Sequence, residues 1–272
     1  MERLDISLER IESRRLLVLG DLMLDRYVWG QAEKISPEAP VLVLREDQDE
    51  VRPGGAANVA SFLRYLGADV VLAGVSGSDA EGRILRRLLD DLSIDNDCVL
   101  TNEGRLTTTK QRFVGRCAQR QPHQILRVDR ESRTPISAPI ESQLIDLALS
   151  KVPSCDAVLI SDYAKGVCTP RLLQAVIQQS REQRIPVLID PCRGGDYSHY
   201  AGATLVAPNR IAAALESGRS VLDSASAVMA AEQLRRRLNL EIAVITLDRD
   251  GIAYATAEES EVIPCRPRDV CD

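Results

Sequence analysis

Apolar positions along the chain follow two different periods. Six short runs are apolar almost without interruption, at residues 16–20, 70–75, 157–160, 186–189, 204–207 and 242–246. That pattern belongs to parallel strands buried on both faces, not to strands with one wet face. Between most of these runs the apolar residues recur every three or four positions. Residues 79–92 place Ile84, Leu85, Leu88, Leu89 and Leu92 on one side of a predicted helix, and residues 137–149 place Ile140, Leu144, Ile145 and Leu149 likewise. Thr169-Pro170 reads as a cap followed by proline at the first helical position, opening a helix that buries Leu173, Val176 and Ile177. Residues 223–238 carry Val228, Met229 and Leu234 and end in a basic run suited to a helix C-terminus. Strands alternating with helices in this way predict an α/β domain, a mostly parallel central sheet with helices on both faces.

One further helix begins abruptly. In Arg52-Pro53-Gly54-Gly55-Ala56-Ala57-Asn58-Val59-Ala60 two glycines lead straight into a pattern that sets Val59, Leu63 and Leu66 on one face, and Gly67 stops it. Glycines let the chain bend sharply and approach a ligand with no Cβ in the way, and the free N–H groups of the first turn would point at whatever lies above. Asn58 adds an amide able to donate to and accept from a sugar hydroxyl. On the residues alone, an ordinary glycine turn before a surface helix fits equally well. The strand ends add to the picture: the apolar runs lead into Asp21, Ser161-Asp162, Asp190-Pro191, Pro208-Asn209 and Asp248. Ligands of open parallel sheets bind at the carboxyl ends of strands, and a rim of acids and amides there is more than a set of helix caps.

Two segments break the alternation. Residues 26–52 and 105–129 hold short extended pieces at 27–29, 41–44, 107–114 and 125–128, rich in Arg, Gln and Thr and without a helical period. They predict a small β-sheet beside the glycine bend, able to act as a lid that excludes water. Such a sheet needs covering, so pairing with a second copy is expected.

Composition narrows the class. The 272 residues carry 44% hydrophobic and 27% charged side chains, as a folded globular protein does, with a formal net charge of −6. That balance favours neither nucleic acid nor an anionic membrane, so an anionic substrate would be met by local basic residues. No apolar stretch approaches membrane-spanning length and the charged first fifteen residues do not read as a signal peptide. The seven cysteines form no CxxC pair and the two histidines, His123 and His199, lie far apart. Reduced thiols, no zinc site and a cytoplasmic location are the expectation.

No P-loop, protein-kinase glycine loop or GxGxxG is present. What is present is Gly20-Asp21-Leu22-Met23-Leu24-Asp25-Arg26-Tyr27, Ile35-Ser36-Pro37-Glu38-Ala39-Pro40-Val41, the glycine stretch at 52–60, Ser161-Asp162-Tyr163-Ala164-Lys165-Gly166 and Asp190-Pro191. Together these resemble the ribokinase-like, PfkB-type carbohydrate kinases over residues 16–272, and within them the heptose-7-phosphate kinases of ADP-heptose and lipopolysaccharide biosynthesis. The resemblance implies a ribokinase-like three-layer domain with a β-sheet lid, and transfer of the ATP γ-phosphoryl group to a sugar phosphate with Mg²⁺ bridging the phosphates. It assigns Asp25, Gly54, Gly55 and Asn58 to the sugar. Lys165, with Arg127 from the lid, is assigned to the phosphate the substrate already carries, and Asp162 to the same side. Asp190 and Asn209 match positions near the ATP phosphates, and Thr246 and Gly251 the start of the nucleotide-binding loop. Catalysis would then be positioning and charge neutralisation, with a base taking the sugar hydroxyl proton.

Three departures qualify that match. The family's Asn-x-x-Glu reads Asn209-Arg210-Ile211-Ala212, without its glutamate, and the lysine that follows Asp-Pro in this branch is Cys192, with Arg193 next to it. Asp269-Val270-Cys271-Asp272 matches the segment just before the Gly-Ala-Gly-Asp that supplies the anion hole and catalytic aspartate, so the base is expected beyond Asp272 and the domain is expected to be C-terminally incomplete. A kinase for another sugar of the superfamily, or an inactive sugar-phosphate-binding protein, are the alternatives.

Overall fold

The structure, a computed structural model, describes residues 11–117 and 120–265. In chain order its elements begin with β1 (Arg15–Gly20), β2 (Leu22–Ile35), β3 (Leu42–Gly55), α1 (Ala56–Tyr65), β4 (Asp69–Gly77), α2 (Ala80–Asp91) and β5 (Asp95–Asn102). There follow β6 (Thr108–Cys117), β7 (Arg120–Arg130), α3 (Ala138–Lys151), β8 (Ala157–Ser161), α4 (Pro170–Glu182), β9 (Val187–Asp190) and β10 (Leu205–Val206). The described chain closes with α5 (Arg210–Ser217), α6 (Ser224–Leu238), β11 (Ile242–Thr246), β12 (Ile252–Ala255) and β13 (Ser260–Ile263).

A nine-stranded sheet of order β13-β12-β11-β10-β9-β8-β1-β4-β5 forms the body, parallel except for the two strands β12 and β13. Strand β1, third from the β5 edge, shows why an apolar run can be uninterrupted. Leu17 and Leu19 of β1 point into a core shared with α3, α4 and α6, while Leu16 and Val18 point into a second core under α1 and α2. The run at residues 16–20 is therefore buried whichever way it faces, as is β4 beyond Asp69, whereas β8, β9 and β11 alternate buried residues with half-buried or exposed ones. Thr169 caps α4 as its position before proline requires, its hydroxyl accepting from the Leu172 N–H at 3.2 Å.

The segments 26–52 and 105–129 supply a second, four-stranded sheet of order β3-β2-β6-β7. β2 leaves β1 after one residue, Asp21, and β3 runs without a loop into α1, so this sheet grows out of the carboxyl end of β1. Arg130 of β7 pairs with Glu81 of α2 at 3.1 Å and steadies its base.

Four expectations are corrected. The body has three strands beyond the six expected, β5, β12 and β13, and an extra short helix, α5. The extended pieces at 27–29, 41–44, 107–114 and 125–128 are parts of much longer strands that continue through bulges near Trp29 and Ala32. The side of α1 against the core is lined by Ala56, Ala57, Ala60 and Ser61, with Val59 and Leu63 half-buried and Leu66 exposed, because small residues let the helix lie close to the sheet. Met229 is exposed; Ala227, Ala230, Ala231, Leu234 and Leu238 carry the buried face of α6.

Candidate functional site

The glycine bend is shaped by two acids from the end of β1 and the start of β2. Gly55 sits at φ +56°, and a Cβ built there would lie 2.4 Å from the Asp21 carbonyl oxygen. That carbonyl accepts from the Ala56 N–H at 3.0 Å. Gly54 is needed for a different reason: a Cβ on it would stand 2.5 Å from Oδ2 of Asp25. The carboxylate of Asp25 thus rests directly over Gly54, and its Oδ1 is held by Nη1 of Arg112 at 2.5 Å. Arg112 in turn lies 5.1 Å over the Tyr27 ring. No side chain caps the first turn of α1, and Asn58, in that turn, is exposed. A ligand over Gly54 would meet one free carboxylate edge, an amide and a helix N-terminus together.

Asp21 is the residue that sequence reasoning placed only on the rim. It is buried, and its carboxylate accepts from the backbone N–H groups of Tyr163 (2.8 Å), Lys165 (3.0 Å) and Val167 (3.1 Å). Burial raises its pKa, and those three N–H groups oppose the rise. Asp21 therefore locks the 161–166 loop against the glycine bend. Its partners lie more than 140 residues away, so no local pattern could have exposed the role.

Asp162 is buried beside it. One oxygen accepts from the Ala164 N–H at 2.7 Å, the other from the Tyr200 hydroxyl at 2.7 Å. Burial and the Asp162 charge push the Tyr200 phenol far above its usual pKa, so it remains a donor. The Cys192 thiol, at the position where the branch has lysine, lies 3.5 Å from the same hydroxyl and is buried. Asp21, Asp162 and Cys168 bring their ligand atoms within 4.8 Å of one another, but backbone N–H groups and Tyr200 already satisfy both carboxylates, as a structural knot requires.

Both cations expected near the substrate phosphate are paired. Lys165 Nζ lies 2.5 Å from Glu131, whose pKa is held down first by that contact, and Arg127 lies 2.9 Å from Asp129. Across the ladder Arg127 faces Arg112, so the lid strands bring it to the same sheet face as Asp25.

On the other side, Asp190 ends β9, and Asn209 and Thr246 are bridged as parallel neighbours. Asn209 caps α5 by accepting from the Ala212 N–H at 2.9 Å. Ala212, where the Asn-x-x-Glu glutamate is missing, is the third residue of that helix and is buried. Arg210 fastens the turn after β11 by pairing with Asp250 at 2.6 Å and donating to the Leu247 carbonyl at 3.0 Å. A hollow of about 440 Å³ opens there, lined by Thr246, Asp248, Gly251, Ile252, Ile263 and Pro264 among others. The structure thus gathers the expected residues into two groups, Asp25 to Asn58 with the 161–166 loop, and Asp190 to Gly251 along the strand ends.

The model of the pfkB family of carbohydrate kinases matches residues 13–272. This chain is a PfkB-family carbohydrate kinase. Among curated proteins it is 43% identical over 257 residues to the bifunctional protein HldE of Wolinella succinogenes, covering 94% of this chain and 53% of that protein. It is 44% identical over 257 residues to that of Geobacter metallireducens, with 94% and 51% covered. The chain spans about half the length of these relatives. Among solved structures, phosphofructokinase-2 from Escherichia coli in complex with fructose-6-phosphate gives a TM-score of 0.72 at 20% identity, covering 96% of this chain and 82% of that one. Ribokinase from Arabidopsis thaliana complexed with ribose and ATP gives 0.66 at 16%, covering 93% and 78%. These two establish the fold, a ribokinase-like α/β architecture.

A PfkB kinase is a phosphotransferase that binds a small sugar and uses ATP, usually with a divalent metal. The residues fit both. Ile252, Ile263 and Pro264 give the hollow an apolar wall for a nucleobase. The Asp190 side chain has no hydrogen-bond or cation partner among the described residues, and partial desolvation together with the nearby Asp162 charge raises its pKa. A carboxylate lacking its counter-charge suits a metal held mostly by water and phosphate oxygens. No helix among the described residues is long and apolar enough to cross a membrane.

Proposed function

We propose that the chain transfers the γ-phosphoryl group of ATP to a sugar that already carries a phosphate, with D-glycero-D-manno-heptose 7-phosphate as substrate and the 1,7-bisphosphate as product. The observation that carries this reading is the Asp25 carboxylate, held by Arg112 and poised over Gly54 at the head of α1. Around it the small sheet presents Arg52, Lys110, Arg112 and Arg127 on one face, by their register. A hydroxyl acceptor ringed by cations suits a sugar ester better than a neutral sugar. The heptose is supported by the ISPEAPV and SDYAKG motifs and by the relatives that share one name.

In this reading Asp25, Gly54, Gly55 and Asn58 hold the sugar, and Arg127, Asp162 and Lys165 form the wall on its phosphate side. Asp190, Asn209, Thr246 and Gly251 follow the nucleotide. A divalent metal, Mg²⁺ here, would be held through Asp190 and neutralise phosphate charge. The four-stranded sheet serves as a lid that excludes water, and two copies join through it as a homodimer. None of the described residues is assigned as the base. Use of ATP and the free thiols of Cys98, Cys155, Cys168 and Cys192 agree with a cytoplasmic site of action.

ADP release with heptose 7-phosphate, fructose 6-phosphate and ribose tests the assignment. The heptose ester is expected to give a kcat/KM at least about tenfold above the others, the discrimination that one set of well-placed polar contacts supplies. Equal turnover, or none with the heptose ester, would overturn it.

A further inference from the structure

We propose that Lys110 of β6 is the side chain that receives the phosphate carried by the sugar, an assignment that rests on the sugar-phosphate reading above. Register places Lys110 between two acids: it is the ladder neighbour of Asp25 on β2 and of Asp129 on β7. Neighbours in register share a face of the sheet. Both carboxylates are nevertheless claimed from further along the strands, Asp25 by Arg112 at 2.5 Å and Asp129 by Arg127 at 2.9 Å. Lys110 is left with the ring of Tyr163, its Nζ 5.5 Å from the centroid.

The other cations nearby are committed. Lys165 pairs with Glu131, Arg130 pairs with Glu81, and Arg105 donates to the backbone carbonyls of Thr134, Ser132 and Lys165. Among the described residues around the glycine bend, Lys110 is the half-buried cation that has neither a hydrogen bond nor an acidic partner. An ammonium has three donors, and an aromatic face engages it only weakly. Turning from Tyr163 to a phosphate would break no ion pair. Turning Lys165 away would leave Glu131 paired with Arg133 alone.

Position favours the phosphate on the sugar over the one being transferred. Lys110 belongs to the small sheet beside Asp25, whereas Asp190, Asn209 and Thr246 end strands of the large sheet. Tyr163, whose ring Lys110 meets, lies in the 161–166 loop that Asp21 ties to the glycine bend. A lysine is suited to this task because its compact charge swings freely on a flexible stem.

The test is calorimetric titration of the full chain with heptose 7-phosphate, with the unphosphorylated heptose and with ATP, for wild type, Lys110→Met and Lys110→Arg. Lys110→Met is expected to weaken binding of the phosphate ester on the order of 30-fold, the loss of one charge-assisted contact, while the free heptose and ATP move less than about twofold. Lys110→Arg, which keeps the charge, should recover most of that loss. If Lys110→Met does not fold, judged by its melting profile, Lys110→Gln takes its place. Unchanged affinity for the ester, an equal loss for ester and free heptose, or a loss confined to ATP would each overturn the assignment. A wild type that binds ester and free heptose alike would overturn the sugar-phosphate reading itself, and Lys110 with it.

Discussion

Gly54 and Gly55 are adjacent and chemically identical, yet they answer to different constraints. At Gly55 both the positive φ and the fixed Asp21 carbonyl at 2.4 Å oppose a Cβ, and backbone cannot step aside. Gly55→Ala should cost about 3 kcal/mol in folding stability, combining the left-handed penalty with steric strain. At Gly54 the obstacle is the Asp25 side chain, which can rotate. Gly54→Ala should therefore cost only about 1 kcal/mol of stability, yet displace Asp25 and weaken sugar binding roughly tenfold or more. Urea unfolding and calorimetry of the two variants separate the cases; matching losses in both assays would refute the distinction. The sequence made the glycine pair visible because it leads straight into a helical pattern, although an ordinary turn fitted those residues equally well. It could show neither that Asp25 is the reason for one of them nor that Asp21 ties the bend to the 161–166 loop, since those contacts join segments far apart in the chain.

At the scale of the element, one acid joins two of them. Asp79 caps α2 by accepting from the Gly82 N–H at 2.9 Å, and accepts from the Thr107 hydroxyl at 2.6 Å and the Thr107 N–H at 2.9 Å where the chain enters β6. Burial opposes ionisation of Asp79, but the Thr107 and Gly82 donors outweigh it and hold its pKa below the usual carboxylate value. A depressed acid contributes stability in full above its unfolded pKa and loses it as pH falls through the folded one. Asp79→Asn should thus be less stable than wild type by about 2 kcal/mol at pH 7, with the gap closing below about pH 4. Urea unfolding at pH 7 and pH 3 measures it; a gap that stays constant would mean Asp79 acts by shape alone. The elements the sequence revealed were the strands with continuous apolar runs and the long amphipathic helices. β5 carries only Cys98, Val99 and Leu100 as an apolar run inside polar flanks, and β12 and β13 are four-residue strands at a sheet edge. Their order comes from neighbouring strands, which a local window does not contain.

For the whole molecule, the distribution of apolar surface between the two sheets makes a claim about assembly. The large sheet is buried on both faces around β1 and β4, whereas the outer part of the small sheet leaves Ile35, Val41, Leu42, Leu126 and Val128 exposed. Leu42, Leu44, Phe113, Ile125 and Leu126 line a hollow of about 160 Å³ there. A patch of this kind on a sheet whose outer strands, β3 and β7, are unpaired edges is rarely left to water. A second copy can cover it with the same patch about a two-fold axis, and each lid then steadies the other. Because β3 runs directly into α1, a steadied lid also fixes Gly54 and Gly55, the proposed floor of the sugar site. The paired substitution Leu42→Asp and Leu126→Asp removes that cover at two exposed positions without touching either core. It should convert dimer to monomer across micromolar concentrations, weakening association by about 100-fold or more, as burying two unpaired charges in an apolar contact would. Sugar affinity should fall with it while ATP affinity holds, since the residues proposed for the nucleotide stand at strand ends of the large sheet. Sedimentation velocity over a concentration series decides the matter: a wild type that stays monomeric, or a double variant that dimerises as before, would leave the lid patch to some other purpose.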